Sequence, residues 1–337
     1  MNNTLLEKAI VNVNDILNTC INHDQSRRSL VVYDNDFGLT QLLTSAYKSV
    51  LTNNADFVDF NSKTREEIID LFNSLQKDDL VVLIQSTNFL LNEFRIRLHL
   101  FNLGLRVVEH MHLARNDESV WDVYVNSLEY DKNWLPVIAP KLKSVLDQSK
   151  KLRIISGDAQ LEVNGKLEDA KLNIGDYTGM INIGGTFPIG EVFTEAEDFS
   201  AMNGSFYVYA YADKNFNVQM HEPFMVTINN GLIISCADNT PADFLDMIEL
   251  VKSYERPLIR ELGFGLNKAI TKERFLSDIT AFERILGLHF SLGEKHSVYK
   301  KDGITTNKTK FHIDIFPVVD EVYADDVLIF KDGRYLV

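Results

Sequence analysis

The run Leu80-Val81-Val82-Leu83-Ile84 decides the fold class of the N-terminal part of the chain. It is wholly apolar and strand-sized, and it follows a helical stretch at residues 64–75 that begins with the capping-box pattern Thr64-x-x-Glu67. A strand that is apolar on both faces is typical of a parallel sheet covered by helices on each side.

Two similar strands are predicted, one before this run at residues 29–34 and one after it at residues 105–110. Helical patterns at residues 4–22, 39–51, 64–75 and 89–101 precede or separate the strands. This β-α-β alternation predicts a three-layer α/β domain with a mainly parallel sheet, which we place at residues 1–135. Neither GxGxxG nor GxxxxGK[ST] occurs in it, so no motif supports a nucleotide site.

The pattern changes after Trp134-Leu135-Pro136. A helix at residues 137–148 leads into short alternating strands with turns such as Asn164-Gly165, which indicate antiparallel hairpins. Two more helices are predicted, and a last group of strands follows them; the helices are at 241–253 and 272–285, and the strands at 288–292, 310–315, 321–324 and 327–331. Residues 136–337 are therefore predicted to form a mixed α+β domain.

Composition excludes several classes of function. The chain has 337 residues, with Lys+Arg 34 against Asp+Glu 48 and a net charge of −14, so we expect neither nucleic-acid nor anionic-membrane binding. The two cysteines, Cys20 and Cys236, form no disulfide or metal motif. The chain begins without a signal-peptide pattern and has no long apolar span. We expect a cytoplasmic protein.

Three acidic or imidazole side chains in the second part have unusual neighbours. Glu191 stands in the glycine-rich segment Gly184–Thr194, Glu261 precedes a Gly-x-Gly turn, and His289 lies within a predicted strand. Glycine-rich backbone allows a ligand to approach closely and can direct one side chain inward. Taken one at a time, each is read more simply as a solvated or core residue.

His312 and Asp314 are a stronger signal, because residues two apart on a strand share a face. A histidine and a carboxylate held side by side in this way can bind a divalent ion, although a half-exposed strand gives the same pattern. Together with Glu191, Glu261 and His289, they make a ligand set for one or two divalent ions. Two ions at a spacing of ~3.5–4 Å would jointly activate water and polarise a carbonyl.

In order along the chain, these segments resemble the aminopeptidase T / aminopeptidase S family of metallopeptidases. The most specific piece is Gly190-Glu191-Val192-Phe193-Thr194 followed by Asn203-Gly204. The resemblance, which covers residues 180–337 best, implies that a pair of divalent metals (Zn, Co or Mn) is bound by five residues. These are Glu191, Glu261, His289, His312 and Asp314, of which Glu191 and Asp314 are candidates to bridge the two ions. It also implies a homodimer.

The chain departs from that family in length and at one catalytic position. It is shorter than the typical peptidases, and where they carry a catalytic tyrosine after the first histidine ligand it has His296, with Tyr299 three residues later. Either is a candidate donor to a developing oxyanion. A related branch, similar to 2,5-dihydroxypyridine dioxygenase, is closer in length and binds one Fe(II) through two histidines and one carboxylate. That branch has a histidine where this chain has Glu261, so Glu261 favours two metals and hydrolysis.

Three hypotheses follow. The first is a metal-dependent hydrolase that resembles an aminopeptidase and acts on a peptide or a peptide-like amide, with Glu191 and His296 or Tyr299 in catalytic roles. The second is a mononuclear Fe(II) dioxygenase-like enzyme for a small aromatic or heterocyclic molecule, using His289, His312 and Asp314 or Glu261. The third is a non-catalytic relative that binds a peptide or a partner protein.

Overall fold

The apolar runs of the N-terminal part pair side by side in the computed structural model, which describes residues 3–91, 95–304 and 308–337. These described residues form the α-helices α1 Asn3–Asp15, α2 Gly38–Val50, α3 Arg65–Asn73, α4 Ile96–Asn102, α5 Trp121–Ser127, α6 Leu135–Gln148, α7 Ala242–Lys252 and α8 Ile279–Phe282.

The strands are short in the first part of the chain and longer near its middle. They are β1 Ser29–Tyr33, β2 Ala55–Asp59, β3 Leu80–Ile84, β4 Arg106–His110, β5 Leu152–Ser156, β6 Ala159–Val163, β7 Lys171–Asn173, β8 Gly184–Phe187, β9 Glu191–Glu195, β10 Met202–Ala212, β11 Val218–Asn229, β12 Leu232–Cys236, β13 Ile259–Gly265, β14 Gly287–Leu292, β15 Ile313–Pro317, β16 Glu321–Ala324, β17 Val327–Lys331 and β18 Arg334–Tyr335.

The chain divides into two compact units, each of which is made of three separate segments of the sequence. The first unit comprises residues 1–132, 175–189 and 272–281, and the second comprises residues 133–174, 190–271 and 282–337. A domain boundary between residues 135 and 136 stays a prediction. None of the described helices has the length and apolar character needed to cross a membrane.

The first unit contains a parallel sheet in the order β2-β1-β3-β4-β8. One face of β1, β3 and β4 packs against α3 and α4, and Val81, Ile68 and Leu100 belong to the same buried apolar cluster. Val82, which points to the opposite face because side chains alternate along a strand, is equally inaccessible to solvent. Burial on both faces explains why the strands are apolar throughout.

Sequence motifs predicted some of these helices correctly and others only over part of their length. The capping box at α3 is present, because Thr64 accepts from the Glu67 amide and the Glu67 carboxylate accepts from the Thr64 amide. The helix predicted at residues 89–101 begins only at Ile96; residues 92–94 lie outside the described part of the chain.

The helix predicted at residues 272–285 is wrong for most of its length, since α8 alone is helical there. The buried Asp278 is the physical reason. Its carboxylate accepts from Arg115, 2.7 Å away, and lies 3.1 Å from His112. These long-range contacts replace the regular helical conformation that the periodicity alone favours.

The second unit is built on a mainly antiparallel, 13-stranded sheet of described residues. Its main path runs β18-β17-β16-β5-β6-β10-β15-β14-β13-β9-β7. Off this path, β11 pairs with β10 and with β12. The predicted combination of α/β and α+β architecture is therefore confirmed. Four neighbouring strands of this path, β15, β14, β13 and β9, carry most of the candidate site residues.

A buried histidine of the first unit makes the fold sensitive to acid. His110 is fully buried between the hydroxyls of Tyr47, 2.8 Å from Nε2, and Tyr124, 3.0 Å from Nδ1. Burial lowers the pKa of His110 to about 3. The unfolded imidazole titrates near pH 6.5, so between these values the unfolded chain binds more protons and stability falls as the pH is lowered.

We therefore predict that His110→Gln flattens the pH dependence of the free energy of unfolding between about pH 6 and 4 by about 1 kcal/mol per pH unit. Urea unfolding at a series of pH values measures it. Tyr47→Phe is the matched control, because it removes one hydrogen bond from the same site, keeps the imidazole and should retain the wild-type slope. An unchanged slope in His110→Gln would show that His110 takes up no proton on unfolding.

Candidate metal centre

Strand register brings three of the predicted residues onto one face of the second-unit sheet. Glu191 of β9 lies opposite Gly265 of β13, and Gly263, two residues earlier on β13, lies opposite His289 of β14. Directly opposed residues of antiparallel strands share a face, as do residues two apart on one strand. Glu261 therefore lies on the same face as Glu191 and His289.

Strand β15 adds Asp314 to this face. Asp314 lies opposite Ser291, which is two residues after His289 on β14. His312 lies one residue before β15 and not within the strand that was predicted at residues 310–315. Its Nε2 is nevertheless 3.3 Å from Asp314 Oδ1, so the predicted pair lies together. The structure brings all five predicted metal ligands to one face of the sheet.

Gly263 makes room for the imidazole of His289. Its φ is one that any residue can adopt, but a Cβ atom at this position would overlap Cε1 and Nε2 of the His289 ring. The ring therefore lies across the backbone of β13, between the carboxylates of Glu191 and Glu261. The Gly-x-Gly segment matters here because it lacks a side chain and not because it forms a turn.

His289 is enclosed by carboxylates. Its Nε2 lies 3.3 Å from Glu191 Oε1 and 3.4 Å from Glu261 Oε1, and its side chain is fully buried. Burial alone would lower the pKa of His289, but Glu191 and Glu261, with Asp314 further away, hold it well above its usual range. Without a metal, a proton on His289 balances part of the negative charge; a metal would displace that proton.

Glu283 and Arg284 complete the centre, and the sequence reasoning missed both. Arg284 Nη1 donates to Glu191 Oε2, and Arg284 Nη2 lies 2.7 Å from Glu283 Oε1. The structure groups Glu191, Glu283 and His289 as a candidate metal-binding set, with ligand atoms all within 4.8 Å of one another. In the sequence, Glu283 and Arg284 look like solvent-facing residues of the helix predicted at 272–285, and only their position just before His289 hints at a role.

Several buried polar atoms of this face have no hydrogen-bond partner among the described residues. They include Glu191 Oε1, Asp314 Oδ1 and both ring nitrogens of His289. A buried polar atom without a partner is costly, and such atoms are exceptional in folded proteins. Imidazole nitrogens and carboxylate oxygens are the donors that Zn, Mn and Fe(II) accept, so the residues present fit a divalent ion.

His296 supports Glu261 directly. Its Nε2 lies 2.6 Å from Glu261 Oε2, while its Nδ1 accepts from the backbone amide of Val298 at 3.1 Å. An Nδ1 that accepts places the ring proton on Nε2, which therefore donates to the carboxylate. Burial would raise the pKa of Glu261, but the donors His289 and His296 and the charge of His312 hold it well below its usual range.

The hydroxyl of Tyr299 is bonded to backbone carbonyls and not to a carboxylate of the centre. It donates to the carbonyl of Asp169 at 2.8 Å, with the carbonyl of Phe193 3.2 Å away. In this arrangement the hydroxyl fixes the backbone beside β9, and the oxyanion-donor role of Tyr299 stays a prediction. The same holds for His296, whose only ring proton is directed at Glu261.

His312 is the most accessible of the predicted ligands, with 30% of its side chain exposed. Its Nδ1 lies 3.0 Å from the carbonyl of Lys295. Burial opposes a proton on this ring, but Asp314, with Glu261 further away, outweighs it and raises the pKa of His312 to about 10. His312 is therefore held as a cation beside Asp314, and its role as a metal ligand stays a prediction.

Comparisons with known proteins agree on the fold. No protein-family model and no curated protein matches the chain. Among solved structures it is similar to 2,5-dihydroxypyridine dioxygenase from Pseudomonas putida KT2440, with a TM-score of 0.67 and 15% identity over 100% of this chain and 98% of that one. It is also similar to wild-type AmpT, an aminopeptidase T, from Thermus thermophilus, with a TM-score of 0.60 and 11% identity over 98% of this chain and 99% of that one. At these identities the likeness shows a related fold.

The position of the His289 ring yields a prediction. Gly263→Ala should lower the free energy of unfolding by about 1–3 kcal/mol, because the added methyl group forces the buried ring out of place, and it should weaken binding of Zn²⁺ measured by calorimetry. Gly185→Ala is the matched control: it is also a strand glycine without a left-handed φ, but its Cβ would meet nothing nearer than the Tyr177 hydroxyl at 3.4 Å. Equal effects in the two variants would contradict the assignment.

Proposed function

We propose that the chain is a metal-dependent hydrolase that resembles an aminopeptidase and acts on a peptide or a peptide-like amide. The supporting observation is the convergence, on one face of a rigid sheet, of buried carboxylate and imidazole atoms of Glu191, His289 and Asp314 that have no hydrogen-bond partner among the described residues. Sites held by strands keep their geometry better than sites on loops. The fold shared with an aminopeptidase T is consistent with this proposal.

Glu191, Glu283 and His289 would hold the ion, with Zn, Co or Mn as the expected metals. When bound, a divalent ion supplies Lewis acidity, which polarises a carbonyl and makes water a better nucleophile at neutral pH. His296 would keep Glu261 ionised and correctly oriented through its Nε2–H donor. Outer partners of this kind stabilise the geometry of a metal centre.

Glu261 and Glu283 have environments that push their pKa values in opposite directions. The histidines around Glu261 lower its pKa, whereas burial, with Asp314 and Glu191 nearby, raises the pKa of Glu283 against the opposing effect of Arg284. Two carboxylates separated in this way are suited to different tasks. We assign Glu261 the permanent negative charge that would face a substrate's α-ammonium group, and Glu283 the role of a ligand that would give up its proton when the ion binds.

A second candidate is a mononuclear Fe(II) dioxygenase-like enzyme for a small aromatic or heterocyclic substrate. It is favoured by the similarity to 2,5-dihydroxypyridine dioxygenase, which extends over the whole chain. His289 and His312 with Asp314 or Glu261 would supply the two-histidine, one-carboxylate set. A homodimer and a cytoplasmic location remain predictions under either candidate.

The two candidates differ in what they consume. Protein stripped with EDTA and reloaded with Zn, Co or Mn should hydrolyse aminoacyl p-nitroanilides or short peptides, whereas protein loaded anaerobically with Fe(II) should show no substrate-dependent oxygen uptake with dihydroxylated pyridines. Oxygen uptake without peptide hydrolysis would overturn the hydrolase proposal in favour of the dioxygenase.

We predict that His289→Ala abolishes turnover and weakens metal binding by more than the 10- to 100-fold that typically follows loss of an outer partner. His221→Ala is the matched control, since His221 is a histidine of the same sheet whose Nε2 lies 3.0 Å from the Tyr211 hydroxyl and not beside a carboxylate of the centre. Calorimetric titration of the stripped proteins measures the affinities. Wild-type affinity and hydrolysis in His289→Ala would overturn the proposed site.

A further inference from the structure

Arg284 is a cation built into the candidate metal centre. It is only 7% exposed, and its guanidinium joins two of the candidate ligands: Nη1 donates to Glu191 Oε2, and Nη2 lies 2.7 Å from Glu283 Oε1. An arginine keeps its charge at every pH that the protein tolerates. The two carboxylates therefore meet a permanent positive charge before any metal arrives.

This pairing changes what Glu191 can do. A carboxylate that bridges two metal ions about 3.5–4 Å apart commonly uses one oxygen for each ion. In Glu191, Oε2 is already bonded to Arg284, while Oε1 is buried without a hydrogen-bond partner and lies 3.3 Å from His289 Nε2. One oxygen of Glu191 is thus available to a metal, and the other is occupied.

A second divalent ion would have to displace the guanidinium. The displaced Arg284 would be left as a buried charge without its partners, which is strongly unfavourable. If it stayed bonded to Oε2, Glu191 would have no oxygen left for a second ion, because the first ion would take Oε1.

The distribution of ligand atoms agrees with a single ion. Within the part of the chain that the structure describes, one group of three residues, Glu191, Glu283 and His289, brings its ligand atoms within 4.8 Å of one another. His312 and Asp314 complete no second group of this kind among those residues; His312 pairs with Asp314 and with the carbonyl of Lys295.

We infer that Arg284 occupies the place of a second cation at Glu191, so that the centre holds one divalent ion per chain and not the pair that the sequence resemblance implies. The inference rests on the proposed function only in requiring that this centre binds metal. It assigns Arg284 a role in setting the metal count, and it makes Glu191 a ligand through Oε1 alone.

The test counts the ions bound by the full chain. Protein stripped with EDTA is loaded with Mn(II), freed of excess metal by gel filtration and measured by mass spectrometry, and its EPR spectrum reports whether two Mn(II) ions are magnetically coupled. Wild type and Arg284→Lys, which keeps the charge, should bind one uncoupled ion. Arg284→Gln, which removes the charge and leaves a polar side chain, should bind two, a doubling that a purely structural role for Arg284 would not produce.

Two coupled ions in the wild type, or a single ion in a folded Arg284→Gln variant, would overturn the inference while leaving a metal-dependent function intact. If circular dichroism shows that Arg284→Gln does not fold, the wild-type count decides: one ion supports the inference and two overturn it. Absence of bound Mn(II), Zn and Co from the wild type would overturn the proposed function itself, and the inference with it.

Discussion

The central constraint on this molecule is the concentration of buried negative charge on one face of the second-unit sheet. Glu191, Glu261 and Asp314 are each less than a tenth exposed, and they are brought together with the fully buried His289. Buried carboxylates that are not neutralised strongly destabilise a fold. The neighbouring side chains are arranged to meet that constraint: Arg284 pairs with Glu191, His296 donates to Glu261, and His312 pairs with Asp314.

This compensation is incomplete, and its incompleteness points to function. Glu191 Oε1 and the ring nitrogens of His289 remain without hydrogen-bond partners. A fold selected for stability alone would be expected to replace or satisfy such groups, whereas a metal site requires ligand atoms that nothing else occupies. The absence of a side chain at Gly263, which allows the ring to lie between two carboxylates, has the same explanation. Binding of an ion would therefore remove a cost that the metal-free protein carries.

The sequence predicted those features that depend on neighbours along the chain. The apolar β3 strand indicated a parallel sheet, and the spacing of His312 and Asp314 placed them on one side. The register between distant strands could not be read in this way, because the pairing of β9 with β13 joins segments about seventy residues apart. The residue types suggested that Glu191 and Glu261 could belong to one ligand set, and the resemblance to a peptidase family supported this, but their spacing alone could not bring them together.

Glu283 and Arg284 show most clearly why sequence reasoning stopped short. Their segment has helical periodicity, which predicts exposed positions for both, but α8 ends at Phe282 and the following turn directs both side chains to the centre. Tertiary contacts, among them those of the buried Asp278, override the local pattern. The metal count therefore depends on a residue that no local signal identified.

The most direct test of this account is a crystal structure of the zinc-loaded protein with anomalous diffraction measured at the zinc absorption edge. The account predicts an anomalous peak about 2.0–2.2 Å from Glu191 Oε1 and from a ring nitrogen of His289, with Arg284 still bonded to the other oxygen of Glu191. A fully loaded crystal with no peak at this position, or with Glu191 and His289 directed away from each other, would contradict it.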